Sequence, residues 1–438
     1  MTAHTKPLPP KSFDQQGDVP DAVRVASAME GFLSEFGPRA SSYLNACVRC
    51  GLCAEACHFH LATGEAKYTP IHKIKPFEKA YGQLQGPFSW IKRAFGIAPT
   101  VSIAELREWE ELIFDSCTLC GRCTMVCPMG IDIAELVKEA RHGMFQAGLL
   151  PDRLAQIAGN AKTKHSPFGA PADFVEAIQA IEAEFSIRLP LDKPKADLLL
   201  TLAPGDLDEH HQSVVGLARI LDSLGIDWTL SSVAFEATNF GYLSGDTQLQ
   251  GELTCRLIDK AREIGAATIL LPECGHAWGA LRWEAARWYG APIDDIRIMH
   301  TLELLAERIQ AGDIRLRPVG ESATFHDPCQ QIRRGGLGWA PRVVLKTLGM
   351  ELRELENTQE TSFCCGGGGG VLANTRAAPL RLQAFEIKRK EVEATGATHF
   401  VTSCGQCRLQ FDRSRKETDW DKEVESLLEL VAANMITD

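Results

Sequence analysis

The chain has 438 residues, 45% hydrophobic and 24% charged, an ordinary globular composition with room for two to four domains. Its formal net charge of −11 argues against a nucleic-acid binder, which would present a basic face. No apolar run approaches the ~18 residues that a membrane-spanning helix needs.

Residues 1–20, MTAHTKPLPPKSFDQQGDVP, lack the apolar core of a secretory signal and read as a disordered tail. The fifteen cysteines are therefore expected in a reducing, cytoplasmic setting, where clustered cysteines bind metal more often than they pair. Residues 21–160 read as helical. VASAMEGFLSEFG (25–37), SIAELREWEELIF (102–114) and IAELVKEARHGMFQAG (133–148) all space apolar residues at helical intervals.

Two cysteine runs interrupt this region. CVRCGLCAEAC supplies Cys47, Cys50, Cys53 and Cys57, and CTLCGRCTMVCP supplies Cys117, Cys120, Cys123 and Cys127. Both follow C-x2-C-x2-C-x3-C. Three thiolates at that spacing wrap one face of a cubane, and in two-cluster ferredoxins the fourth serves the other cluster. This assigns Cys47, Cys50, Cys53 and Cys127 to one cubane [4Fe–4S] cluster, and Cys117, Cys120, Cys123 and Cys57 to a second. Zinc sites use paired C-x2-C knuckles and suit the pattern poorly. Pro128 follows Cys127 as the bacterial pattern wants, whereas His58 follows Cys57. A proline there shapes the exit of the chain and binds no iron, so Cys57 is kept as a ligand. Between the runs lie Lys67, Lys73, Lys75, Lys79, Lys92 and Arg93, with Phe88 and Trp90. That stretch reads either as a docking face or as a solvated face with a few core aromatics.

Prolines mark a connector at 161–195: HSPFGAP (165–171), a short helix near 173–185, and LPLDKPK (189–195). Strand and helix then alternate, as a parallel α/β layout requires. DLLLTLAP (197–204) is a buried-strand run, HHQSVVGLARILDSLG (210–225) a helix, LTCRLIDKAREIG (253–265) another, and AATILLPECG (266–275) a second strand. The region also repeats itself. GAATILLPECGHA (265–277) matches GATHFVTSCGQCR (396–408), so Cys274 corresponds to Cys404. TLAPG (201–205) sits where FHDPC (325–329) sits in the second copy, so Gly205 replaces Cys329. The expected units are 196–318 and 319–438, and only the second keeps its cysteines. Cys255 matches no ligand position and reads as a buried small hydrophobe.

The second unit holds Cys329, Cys364, Cys365, Cys404 and Cys407, with FCCGGGGG at 363–370. Five glycines in a row are entropically costly. They allow positive φ and close backbone approach, and Gly366, Gly367 and Gly368 are read as cofactor-binding through N–H groups aimed at anionic sulfides. A phosphate loop is disfavoured because VLAN (371–374) stands where G-K-[ST] would end it.

At these residues the chain resembles the CCG-domain proteins: heterodisulfide reductase, its sulfur-oxidation relatives, and the K subunit of the Dsr sulfur-metabolism membrane complex. HDPC (326–329), CCGGGGG (364–370), SCGQC (403–407) and HSPFG in the connector carry the likeness. The long gap between the two cysteine runs resembles the helical ferredoxin domain of succinate dehydrogenase and heterodisulfide reductase relatives. The resemblance covers nearly all of the chain after residue 20. It implies an α plus α/β chain, with a helical di-cluster ferredoxin domain followed by two tandem CCG-type units, the first degenerate. It also implies that the five C-terminal cysteines bind one noncubane [4Fe–4S] cluster. Heterodisulfide reductases carry two full five-cysteine units, so the single intact unit is closer to the pattern of the Dsr K subunit and counts against symmetric cleavage of a free heterodisulfide. Glu273, Cys274 and His276, in PECGHAW, are candidates for acid, thiol and proton donor beside that cluster, with a structural role equally open.

Three functions follow as alternatives. The first is a redox subunit of sulfur metabolism, passing electrons between a partner, two cubanes and a cluster that handles a disulfide or persulfide. Its partner would be a membrane quinone-reactive subunit or a soluble flavoprotein, with membrane contact only peripheral. The second is an electron relay in a flavin dehydrogenase of the glycolate or lactate oxidase type; the intact Cys404–Cys407 pair argues mildly against it. The third is a scaffold or sensor with structural clusters.

Overall fold

The computed structural model describes residues 19–34, 37–84, 88–95, 100–164, 166–167 and 170–436. The expected tail at 1–18, residues 165, 168 and 169 of the HSPFG motif, and the side chains of Lys92 and Arg93 lie outside this description. The described chain divides into two compact units. One holds the residues up to Gly159 together with Phe240–Leu249 and Gly366–Glu386; the other holds Asn160–Asn239, Gln250–Cys365 and Ile387 onward.

The first unit is helical. Helix Asp21–Ser34 buries Ala28, Met29, Phe32 and Leu33, its apolar stripe. It packs on helix Ile133–Gln146, which Asp132 caps by accepting the Glu135 N–H at 3.0 Å. Two glycines set the closeness of that crossing. A Cβ on Gly31 would lie 2.8 Å from the Gly143 Cα, and one on Gly143 would lie 2.2 Å from the Phe32 ring. Helix Ile103–Glu110 starts at a Ser102 cap and ends in a wider π turn, Glu111–Asp115. Segment Gly366–Glu386 is tied in by Arg376, whose Nε and Nη2 reach the two Asp115 oxygens at 2.6 and 2.9 Å. The second such segment, Phe240–Leu249, holds the Leu243 carbonyl, which Arg141 binds at 2.8 Å.

The second unit contains two four-stranded parallel sheets. Strands β1 (Leu198–Leu200), β2 (Trp228–Thr229), β3 (Thr268–Leu271) and β4 (Arg297–His300) lie in the order β2-β1-β3-β4. Strands β5 (Ser322–His326), β6 (Glu351–Leu352), β7 (His399–Thr402) and β8 (Val424–Ser426) lie in the order β6-β5-β7-β8. The two orders are the same, and the repeat read in the sequence maps strand onto strand. Register pairs Leu199 with Ile269 and Phe325 with Val401. Central strands such as LLL are apolar without alternation because both faces are covered. One continuous core takes residues from both sheets, including Leu199, Leu200, Ile269, Ala323, Phe325 and Val401. In each sheet the chain crosses over between the first and third strands, the place where open parallel sheets form a crevice at their carboxyl ends. The chain after β5, β7 and β3 carries Cys329, Cys404 and Cys274 respectively.

Candidate metal centres

The two cysteine runs of the helical unit fold alike. In each, the residue two after the first cysteine is left-handed, Arg49 (φ 53°) and Leu119 (φ 57°). The glycine after the second cysteine is also left-handed, Gly51 (φ 85°) and Gly121 (φ 75°), and opens a short helix, Leu52–Ala56 or Arg122–Met125. Non-glycine residues enter that region only when their surroundings hold them there. Cys47, Cys50, Cys53 and Cys127 line one cavity, and Cys57, Cys117, Cys120 and Cys123 line another. These are the two sets expected from the spacing. Each set offers four soft thiolates and no carboxylate, a donor set suited to iron–sulfur chemistry. The first set reaches solvent, since Cys50 is exposed and Val48 and Met129 beside it are 64% and 47% exposed.

The second set is embedded among buried cations. Lys73, expected on an outer basic stretch, is buried instead. Its Nζ donates to the Ser116 carbonyl and lies 3.7 Å from Cys57 Sγ. Burial pulls the Lys73 ammonium down, but the sulfurs of Cys57, Cys117, Cys123 and Cys120 outweigh it and hold the group above its ordinary value. Arg141, fully buried, donates to the carbonyls of Gly369 (2.6 Å), Leu243 (2.8 Å), Cys117 (2.9 Å) and Ile113 (3.1 Å). Burial lowers it to about 10, so it stays charged. Lys67 and Lys79 do face outward, paired with Glu111 and Glu105, while Phe88 and Trp90 are each 68% exposed.

Of the C-terminal cysteines, Cys365, Cys404 and Cys407 meet at the carboxyl ends of β5 and β7. Cys329, Cys364, Cys365, Cys404 and Cys407 are all buried. Cys404 is the N-cap of helix Gly405–Glu417 and Cys407 lies in its first turn. A hydrogen bond from Cys407 pulls the Cys404 thiol below its ordinary value, and the N–H groups of Gly275, Cys407 and Gln406 add to this. The Sγ atoms of Cys365 and Cys407 and a ring nitrogen of His326 lie within 4.8 Å of one another. So many thiols, buried together, cannot all ionise without a cation among them. The loops around them are locked. Asp327 accepts from Arg342, Thr358 Oγ1 (3.0 Å) and the Gln359 N–H (2.7 Å), and Gln331 Nε2 donates to the Ser403 carbonyl at 2.8 Å. Lys388, fully buried, donates to Glu391 Oε2 at 2.6 Å and to Ser362 Oγ at 3.4 Å.

A 4Fe–4S dicluster domain model matches residues 43–131, and a cysteine-rich CCG domain model matches residues 323–412. An Hdr-like menaquinol oxidoreductase iron–sulfur subunit of Archaeoglobus profundus is 26% identical, over 84% of this chain and 75% of its own. The D chain of the dihydromethanophenazine:CoB–CoM heterodisulfide reductase of Methanosarcina barkeri is 27% identical, over 89% and 93%. The chain thus carries a 4Fe–4S dicluster domain and a CCG domain, and over most of its length it is similar to heterodisulfide reductase D-like iron–sulfur subunits. An EtfAB:quinone oxidoreductase of Syntrophomonas wolfei is 26% identical, over 86% of this chain and 56% of its own. The two domain matches support [4Fe–4S] clusters in this chain, and the relatives are iron–sulfur subunits of oxidoreductases. No described helix is long and apolar enough to cross a membrane.

The remaining site candidates of this CCG-domain protein lie as follows. Gly366, Gly369 and Gly370 have positive φ (94°, 61° and 84°), whereas Gly367 and Gly368 do not. Gly366–Glu386 packs within the helical unit, where a Cβ on Gly369 would meet the Thr118 backbone at 2.8 Å. The Glu273 carboxylate turns to helix Leu427–Asn434, accepting Ser426 Oγ–H at 2.6 Å and the Leu428 N–H at 3.3 Å. Cys274 caps the turn after β3 with Sγ 3.7 Å from Thr238 Oγ1, and burial raises its thiol to about 12. His276 is buried in the following turn. Cys255 is half-buried, not buried, with Sγ 3.8 Å from the Trp288 carbonyl. Sequence reasoning missed His326 and Lys388. HDPC, quoted for its cysteine, carried His326 openly; no local signal marks Lys388, a lysine in an ordinary charged helix.

Proposed function

We propose that this chain moves electrons between a quinone-linked partner and a disulfide or persulfide handled at the C-terminal site, with that site holding a noncubane [4Fe–4S] cluster. The observation that carries the reading is the meeting of buried Cys365, Cys404 and Cys407 at the crossover point of the second sheet, with Cys329 and Cys364 buried in the adjoining chain. A cluster bound there supplies one-electron steps. The overall change is a disulfide, two electrons and two protons going to two thiols. A persulfide reduced by the same two electrons and two protons gives a thiol and hydrogen sulfide, and its formation from those two runs the same bookkeeping in reverse.

The chain's own residues supply what the cluster does not. Cys404 and Cys407, at the start of one helix, and Cys365 fix the sulfur donors against a rigid strand end. Lys388 holds a proton at Nζ for the site and is recharged through Glu391, which lines a surface groove with Glu354, Asn357 and Phe363. That pair is the route by which protons reach the site. In the helical unit the exposed Cys50 set is the point of exchange with the partner, and the Lys73 set is the inner store. Quinones named for two relatives support a membrane partner, with this chain peripheral to it.

The first unit, with Gly205 and Cys274 where the second has Cys329 and Cys404, is a degenerate CCG unit in this reading. One intact unit means one sulfur at a time is bound. The test is Cys365→Ser. Disulfide-dependent turnover is expected to vanish while the signals of both cubanes persist; full turnover would leave only the relay role. The relay reading has its own support in the EtfAB:quinone oxidoreductase likeness, and it predicts unimpaired electron transfer in that variant.

A further inference from the structure

We propose that His326 is an iron ligand of the C-terminal cluster, binding through a ring nitrogen beside Cys365 and Cys407. The inference rests on the reading of the five cysteines as a cluster site and adds a sixth donor to it. His326 is the last residue of β5, fully buried. Neither ring nitrogen has a hydrogen-bond partner among the described residues. Leaving two polar atoms of one buried ring unmatched is costly. Structures keep such groups where something absent from the protein itself satisfies them. Here the nearby atoms are sulfurs: ligand atoms of His326, Cys365 and Cys407 fall within one 4.8 Å circle, the span of donors around a single metal.

The ring is also held in place. The Phe411 ring meets it edge-on with centroids 4.9 Å apart, and the following Asp327 is pinned by Arg342, Thr358 and the Gln359 N–H. A neutral imidazole offers one lone pair to a metal. An imidazole brings no charge to the iron it binds, whereas a thiolate brings a negative one. Replacing sulfur by imidazole raises the potential of iron–sulfur centres for that reason. His326 would therefore make one iron of the cluster easier to reduce than its all-cysteine counterpart.

The test begins with iron per chain on anaerobically prepared protein, to separate the two claims. About 8 irons mean the five cysteines hold no cluster, and the functional reading and this inference fall together. With about 12 irons, pulsed EPR on the chain labelled with 15N-histidine, poised across its redox range, reads nitrogen at the cluster. A coupling of the size given by metal-bound imidazole, lost in His326→Gln, is the expected result. The weak coupling of a hydrogen-bonded ring, or none, would overturn the ligand assignment while the cluster stands. If His326→Gln fails to load, His326→Cys decides: iron near 12 with a midpoint lower by at least a factor of ten in reduced-to-oxidised ratio supports ligation. An unchanged midpoint there refutes it.

Discussion

At the scale of single residues, Lys73 makes the two proposed cubane sites unequal. Reduction adds a negative charge, and an ammonium 3.7 Å from Cys57 Sγ favours the reduced state. A unit charge at about 4 Å and an effective dielectric near 20 is worth about 4 kcal/mol before relaxation. Lys73→Gln is expected to lower one cubane midpoint by at least ~59 mV, a tenfold change, and to leave the other in place. Redox titration followed by EPR reads both; equal shifts in the two, or none, would refute the asymmetry. Glu273 gives a second prediction. Burial raises its carboxyl from 4.5 to about 8, partly offset by Ser426 Oγ and the Leu428 N–H. The folded state therefore holds more protons than the unfolded one between those values, and stability falls as pH rises through the window. In Glu273→Gln that slope should flatten, with the variant's melting temperature above the parent's at pH 8 and level with it at pH 4.5. Parallel melting curves across pH would mean that the carboxyl is not perturbed. At this scale the sequence was partly readable: the cysteines announce themselves, but burying a lysine or turning Glu273 to a helix end depends on contacts made far along the chain.

At the scale of elements, the legible features were the periodic ones. Helices Asp21–Ser34 and Ile133–Gln146 and strands β1 and β3 follow from their apolar spacing. Strands β2 and β6 are two residues long, too short for any period, and become strands only by pairing with β1 and β5. The packing of Gly366–Glu386 with the helical unit was equally hidden. It depends on Arg376 meeting Asp115 and Arg141 meeting Gly369, pairs separated by hundreds of residues. Gly369 is the element's tightest point: a side chain there suffers both the left-handed backbone and the Thr118 contact. Gly369→Ala is expected to displace the loop that follows Cys117 and to lower iron by up to about 4 per chain. Gly143→Ala, which drives a Cβ into the Phe32 ring, should cost about 1–3 kcal/mol in denaturant unfolding with iron content kept if the helices can part. Wild-type iron retention in Gly369→Ala would show that the close approach is incidental.

At the scale of the molecule, the duplicated α/β order and the duplicated cysteine run were both visible as repeats, because each repeat keeps its strand, its turn and its helix in the same sequence. What distinguishes the copies is chemistry alone. Only the second sheet carries cysteines on both sides of its crossover, so the proposed function puts one cluster there and leaves Cys274 of the first copy outside the thirteen proposed ligands. Iron content tests that arithmetic on the whole chain. Wild type should bind about 12 irons, Cys365→Ser about 8 with both cubane signals intact, and Cys274→Ser about 12. Loss of iron in Cys274→Ser would make it a ligand and the first unit a participant in the cluster. Retention, together with loss in Cys365→Ser, would mean the first copy serves as a scaffold: it lends its sheet to the common core through residues such as Leu199 and Ile269, and leaves the redox chemistry to the second.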